Sequence, residues 1–321
     1  MSANVSDGVG HERQAGTAPL VSVGVPVYNE ERYLAATLDS LLAQDYRNIE
    51  VVICDNASTD ETPRICAEYA ARDARVRYHR NETNIGGINN FNRVFELASG
   101  EFFMWAAGHD VRHPAQISSC MKVLSEDNGV VLCYSQAVWV NESGEEVEDI
   151  HEYLDTRNVF EWKVRFNVVL WGLYSGAPVY GVFRSQALRQ TSLFTQVVSP
   201  DMSLLIELSV MGRFAYIPEP RFHLRRLPNH GDWDAFVAKH FKKESSKSSA
   251  QSLYWRMMRE LSRRVARHAR TLPGKAFGVT FVIAAMLIKF RWMLEGLRSV
   301  KRDDPSRLPV KEFGATRGKV S

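Results

Sequence analysis

The sequence predicts an α/β protein: a mostly parallel sheet flanked by helices, followed by a C-terminal basic helical extension. Three observations carry that expectation. Short apolar runs rich in Val and Ile alternate with helically spaced segments from Val21 to Asp110. Polar residues gather just past the ends of those runs, where open α/β sheets place ligands. Charge is also divided along the chain. From Lys239 onward there are 20 Lys+Arg and 6 Asp+Glu, a net of +14; the residues before it carry 20 and 31, a net of −11.

Val21–Val27 (VSVGVPV) reads as the first strand. Residues 30–43 place Tyr33, Leu34, Leu38, Leu41 and Leu42 at helical spacing, a helix that packs back on the sheet. Ile49–Cys54 is the second strand. Residues 60–73 form a helix with Thr59 or Asp60 as cap and Pro63 in its first turn. Val76–His79 is a third strand, and a turn at Asn84–Gly87 leads to a helix ending at Ala98. The run 101–110 (EFFMWAAGHD) is continuous and apolar until His109-Asp110, as expected of a strand buried on both faces. A helix follows Pro114 to Ser125, then a strand over Val130–Val140. Residues 151–175 are aromatic-rich and expected to be helical, Tyr180–Phe183 is a short strand, and Asp201–Met211 is an amphipathic helix ending at Gly212.

Residues 1–19 read as a disordered leader, 20–238 as the α/β domain, 239–300 as a basic amphipathic region and 301–321 as a flexible tail. The leader lacks the basic-then-apolar pattern of a secretory signal. Phe277–Ile288 is the best membrane candidate, but at about 12 residues it falls short of the roughly 20 needed to span a bilayer. Cys54, Cys66, Cys120 and Cys133 are scattered in apolar contexts with no CxxC, which fits reduced core thiols rather than a zinc site or disulfide framework.

Three strand ends carry polar groups: Pro26-Val27-Tyr28-Asn29-Glu30, Asp55-Asn56 with Ser58-Thr59, and His109-Asp110. Right-handed crossovers bring all three to one sheet edge. Carboxylates and amides there can bind a base, a ribose or a divalent cation; Ser58 and Thr59 can instead cap a helix. No GxGxxG follows the first strand and no GxxxxGK[ST] occurs, so neither a dinucleotide site nor a P-loop is expected.

VSVGVPVYNEERYLAATLDSLLAQDYRNIEVVICDNASTDET and RNETNIGGINNFNRVFELASGEFFMWAAGHDVRHP resemble the opening of family 2 glycosyltransferases, inverting enzymes of the GT-A fold. The resemblance implies that Pro26, Tyr28 and Glu30 lie against the nucleotide and that Asp55 and Asn56 bind the base. It also implies that His109 and Asp110 match the end of the metal-binding DxD motif, with Asp110 holding Mg²⁺ or Mn²⁺ on the donor diphosphate. The chain departs from the family here, because Ala107 and His109 stand where carboxylates are usual. SPDMSLLIELSVMGRFAYIPEP resembles the acceptor-side helix, which makes Asp201 the catalytic base, with the helix N-cap as its plain structural role and Glu207 as a weaker rival. Arg221, Arg225 and Arg226, with His223 and His230, read either as a solvated basic loop or as groups that reach the pyrophosphate. Trp105 is expected in the core; Trp171 and Trp233 either pack or stack on acceptor sugars.

The basic tail reads as an interfacial amphipathic anchor beside anionic lipid, with a dimerising hairpin as the rival and no nucleic-acid motif in it. The expectation is an inverting, hexosyltransferase-type enzyme moving a sugar from a nucleotide-diphosphate donor to a lipid-linked or saccharide acceptor. Cell-surface polysaccharide synthesis at the cytoplasmic face of the membrane is the setting that suits it, with a homo-oligomer open. The alternatives are a non-catalytic nucleotide-sugar or glycan-binding relative with a degenerate metal motif, and a sugar nucleotidyltransferase. The acidic VYNEER segment speaks against the last.

Overall fold

The computed structural model describes residues 18–197, 199–227, 250–269 and 271–303; His230, Trp233, residues 1–17 of the leader and the tail beyond Asp303 lie outside them. One eight-stranded sheet runs in the order β3-β2-β1-β4-β7-β5-β6, with β8 beside β5. The strands are β1 (Val21–Val27), β2 (Ile49–Asp55), β3 (Val76–Arg80), β4 (Phe102–Trp105), β5 (Val130–Val140), β6 (Glu146–Ile150), β7 (Val182–Arg184) and β8 (Arg213–Arg225). The helices are α1 (Leu34–Leu42), α2 (Thr62–Arg72), α3 (Gly87–Glu96), α4 (Gln116–Glu126), α5 (Trp162–Gly172), α6 (Ser185–Leu188), α7 (Pro200–Met211), α8 (Ala250–His268) and α9 (Leu272–Asp303).

The sheet is mixed, with six of its eight strands running one way and β6 and β7 the other. Strands β3, β2, β1 and β4 are parallel, β7 pairs antiparallel with β4 and β5, β6 pairs antiparallel with β5, and β8 lies parallel to β5. Side-chain alternation divides the core. Val21, Val23, Val25 and Val27 of β1 face one side, together with buried residues of α1, α2 and α4. Val52, Cys54, Phe103 and Trp105 face the other, against α3, α5, α7 and α8. Trp105 is fully buried and donates its indole N–H to the Phe91 carbonyl at 3.0 Å. All four cysteines are buried free thiols; burial pushes Cys54 up to about 11 and Cys66 to about 12.

Several elements differ from expectation. Strand β4 stops at Trp105, because Gly108 folds the following loop onto β1: a Cβ there would sit 2.9 Å from Val27 Cγ1. Only 162–172 of the 151–175 stretch is helical. Glu61 immediately precedes α2 without a side-chain cap bond, and the Asp60 carboxylate supplies the capping contact, its Oδ1 accepting the Thr62 N–H at 3.0 Å; Thr59 takes no part. Helix α7 is buried on every side from Ser203 to Val210 rather than amphipathic, since α5 packs on one face and α8 on another.

Candidate functional site

The β1 and β2 ends are locked to each other. Asn29 N–H donates to Ser58 Oγ at 3.0 Å, Thr59 N–H donates to Asn29 Oδ1 at 2.9 Å, and Glu30 N–H donates to Thr62 Oγ1 at 2.8 Å. Asn29 and Ala57 both hold left-handed backbone, with φ of 55° and 60°. Non-glycine residues adopt that conformation at a cost, and such strain gathers at functional loops. Pro26 is buried in β1, whereas Tyr28 stands 39% exposed at its end.

Asp55 is fully buried. Its Oδ1 accepts from the Ser58 N–H and hydroxyl, and its Oδ2 accepts from Tyr78 at 3.0 Å and Arg80 at 3.1 Å. Asn56 is equally committed: Oδ1 accepts from Asn81 and the Ile85 N–H, and Nδ2 donates to Asn84. The pair thereby fixes the shape of the 81–86 loop at this edge. Ser58 serves this network and does not cap a helix.

The β4 end is built differently. Glu30 meets His109 Nδ1 at 3.1 and 3.2 Å. Asp110 is buried, and its Oδ1 accepts the Arg225 N–H at 2.9 Å. Its Oδ2 has no hydrogen-bond partner; the other such buried side-chain atoms among the described residues are Arg112 Nε and Gln116 Oε1, a few residues on. Burial raises the Asp110 pKa, opposed by His109, Arg112 and the Arg225 N–H. Arg112 lies beneath, its guanidinium 4.3 Å from the Phe222 ring centroid and 5.4 Å from that of Tyr180.

Arg225 clamps this corner. Its Nε donates to the His109 carbonyl at 3.0 Å and its Nη1 to the Asn141 and Glu142 carbonyls at 2.9 and 2.7 Å, while the guanidinium covers Tyr33. It is a strand residue rather than part of a solvated loop. Arg221 pairs with Glu146 and Asp149, His223 with Glu146 and Arg226 with Glu148, which ties β8 to β6.

Asp201 lies in the first turn of α7; the N-cap is Ser199, itself left-handed at φ 49°. The capping role expected for Asp201 is therefore displaced by two residues. Gly176 faces the Asp201 carboxyl so closely that a Cβ would overlap Oδ2, and Gly176 has φ of 71°, where only glycine is unstrained. Burial raises the Asp201 pKa, with backbone N–H groups opposing. Buried Glu152 holds the same turn: it accepts the Tyr174 N–H at 2.7 Å, the Ser175 N–H at 3.3 Å and the Ser175 hydroxyl. Burial raises its pKa first, and the charge of Asp201 adds to that. Burial raises the Tyr180 phenol first, and the charges of Asp110 and Asp201 add to that.

Glu207 is neither a surface residue nor simple packing. It is fully buried, 2.9 Å from fully buried Arg264 of α8 and 3.1 Å from His268 Nε2. Arg264 also donates to the Leu193 carbonyl and Thr195 Oγ1. Arg112, Glu152, Gly176 and Tyr180 had no place in the sequence expectation for the site. Of these only Arg112 carried a signal, as a charged residue two positions past the apolar run.

A mixed sheet flanked by helices, with polar residues gathered at the ends of its parallel strands, is a GT-A-like fold. The chain is similar to S. aureus TarS solved with UDP-GlcNAc, at TM-score 0.61 and 17% identity over 83% of this chain and 72% of that one. It is also similar to the mannosyltransferase PcManGT from Pyrobaculum calidifontis, solved with GDP-Man and Mn²⁺, at TM-score 0.50 and 18% identity over 86% and 88%. The model of Glycosyl transferase family 2 matches residues 22–191, more than half of the chain, and the chain belongs to that family. An uncharacterized glycosyltransferase of Haemophilus influenzae is 26% identical over 71% of each chain. The putative glycosyltransferase EpsE of Bacillus subtilis is 35% identical over 34% of this chain and 40% of its own length.

Proposed function

We propose that the protein is an inverting glycosyltransferase that moves a hexosyl group from a nucleotide-diphosphate sugar to a lipid-linked or saccharide acceptor. Cell-surface polysaccharide assembly at the cytoplasmic face of a membrane is the role that suits it. The observation that carries this reading is geometric: Gly176, against the Asp201 carboxyl, leads directly into the turn 177–180, whose Tyr180 ring lies 5.4 Å from the guanidinium of Arg112, two residues past the Asp110 whose Oδ2 has no hydrogen-bond partner. In this reading Asp201 takes the acceptor hydroxyl proton as that oxygen attacks the anomeric carbon. The glycosidic bond forms as the bond to the nucleotide breaks, and the nucleoside diphosphate leaves with the electron pair. An elevated pKa suits a base that must hold that proton.

Pro26, Tyr28, Glu30, Asp55 and Asn56 shape the nucleoside side, and His109 with Asp110 the diphosphate side. The unpartnered Asp110 Oδ2 fits a hard cation, and one carboxylate suffices where phosphates and waters supply the other ligands. No group of three His, Cys, Asp or Glu side chains fit for a metal gathers among the described residues. Asp110 would hold Mg²⁺ or Mn²⁺ nearly alone, and neutralising the diphosphate is what such an ion supplies.

The His109–Glu30 pair and Ala107, where carboxylates are usual, favour a second reading: a relative that binds nucleotide sugars or glycans without turnover. A thermal-shift screen of nucleoside diphosphates and their sugars, with and without Mn²⁺, tests donor binding. Release of nucleoside diphosphate from the stabilising sugar then separates the two. Shifts without any release favour the binder, and no shift with any nucleotide sinks both.

A further inference from the structure

Helices α5 and α9 each carry apolar side chains that stand exposed among the described residues. On α5, Phe166, Val169 and Leu170 are buried in the core. Val164, Val168 and Trp171, spaced four and three residues apart, form a second apolar stripe on the outer face, 53, 39 and 41% exposed. On α9, Val282, Ala285 and Met286 are buried while Phe281, Ile283, Leu287 and Ile288 are exposed. A contiguous exposed apolar patch marks a surface that docks on a partner or on lipid. No described helix is long and apolar enough to cross a membrane, which leaves a position along one.

The two faces are joined. Trp162 at the start of α5 meets Phe277 of α9 edge-on at 6.0 Å, and Phe277 stacks on Phe281 at 4.3 Å. Beyond them, α8 and α9 enclose a groove of about 330 Å³ lined by Trp255, Met258, Arg259, Ser262, Val279 and Ile283. Arg256, Arg259, Arg263 and Arg267 are exposed at spacings of three, four and four, a basic stripe along the groove. From Ala250 to Ile288 these helices carry one acidic residue, Glu260. A second copy of the chain packed face to face would set the arginine stripes against each other. An anionic surface matches them.

We propose that α5, α8 and α9 form one face that docks on an anionic phospholipid bilayer. Helix α8 is part of the folded body rather than a loose anchor: Leu261, Val265 and Arg264 are fully buried, and Arg264 is bound to Glu207 of α7. The docking face is therefore fixed relative to the candidate site. Its α5 stripe continues through exposed Tyr174 to Gly176, which abuts the Asp201 carboxyl. From Val164 to Trp171 the helix climbs on the order of 10 Å toward that residue. Resting on the glycosyl-transfer reading, the same face would lead a lipid-linked acceptor from the bilayer to the base.

The test is flotation with phosphatidylcholine vesicles, with and without phosphatidylglycerol, at low and high salt. Binding that needs phosphatidylglycerol and weakens with salt is expected. Val164→Ser with Val168→Ser and, separately, Leu287→Ser with Ile288→Ser should each lower binding roughly tenfold, as loss of buried apolar area requires. Arg256→Gln with Arg259→Gln and Arg263→Gln should abolish the phosphatidylglycerol dependence. All these positions are exposed, and unchanged melting temperatures confirm intact folds. Equal binding to neutral vesicles overturns the proposal, as does wild-type binding by the α5 pair. So does a concentration-dependent dimer, without flotation, that the α9 pair makes monomeric. Nucleotide-induced thermal shifts report separately on the glycosyl-transfer reading, so either idea can fail alone.

Discussion

The ends of β2 and β4 each present a buried aspartate, and they treat it in opposite ways. Asp55 is satisfied by four donors from Ser58, Tyr78 and Arg80. Asp110 has one backbone donor and an oxygen with no partner. Buried polar groups are nearly all hydrogen-bonded, so an orphaned carboxylate oxygen marks a place where something else completes the bonding. The β2 end is finished scaffold, while the β4 end and the Asp201 turn are where the fold keeps polar energy in reserve.

The sharpest way to break that contrast is at the proposed base. Asp201→Ala should lower turnover by about 100- to 10,000-fold, the range for a lost general base, with donor binding intact in a thermal-shift titration. Full turnover in the variant would remove Asp201 from the mechanism. Next in size is the support behind α7. Arg264→Ala removes the fully buried cation from Glu207, leaving it His268, the Ser192 N–H and exposed Arg267, and should cost up to about 3–5 kcal/mol in denaturant unfolding. Arg264→Met with Glu207→Leu should recover most of that.

The two aspartates themselves should then divide. Asp55→Ala leaves Tyr78 and Ser58 without their acceptor and should cost about 1–3 kcal/mol of stability. Asp110→Ala should cost donor binding while leaving stability level or improved, because its burial opposes the charged form. Equal stability losses would erase the contrast. The smallest effect is on pH. Burial raises the Asp201 pKa, so the protonated, inactive form persists to higher pH than for an ordinary aspartate. Activity should fall as pH drops through that raised value, with the acid limb of the rate profile above the usual ~3.9. A limb at the ordinary value contradicts the site geometry.

The part of the fold that follows local periodicity was legible in the chain. β1, β2 and β5 fall where their apolar runs stand, because each run is buried on both faces and is its own signal. Strand β8 was not legible: RFAYIPEPRFHLR carries two prolines and three arginines, and it is held by pairing with a strand about 80 residues earlier. The burial of α7 was hidden for a related reason, since its cover arrives with α8 and its Glu207 is neutralised by a residue 57 positions away. Site residues at strand ends could be named from sequence. Their state could not: that Asp55 is saturated and Asp110 is not depends on Tyr78, Arg80 and Arg225, which no spacing rule connects to them.

The Arg264–Glu207 pair also bears on how this molecule can be cut. The family match ends at residue 191, before α7 and well before α8. A fragment designed on that match, or ending between β8 and α8, would open the floor of α7 to water and leave Glu207 without its guanidinium. The smallest portion able to stand alone has to reach past His268, so the catalytic unit is longer than its recognisable motifs.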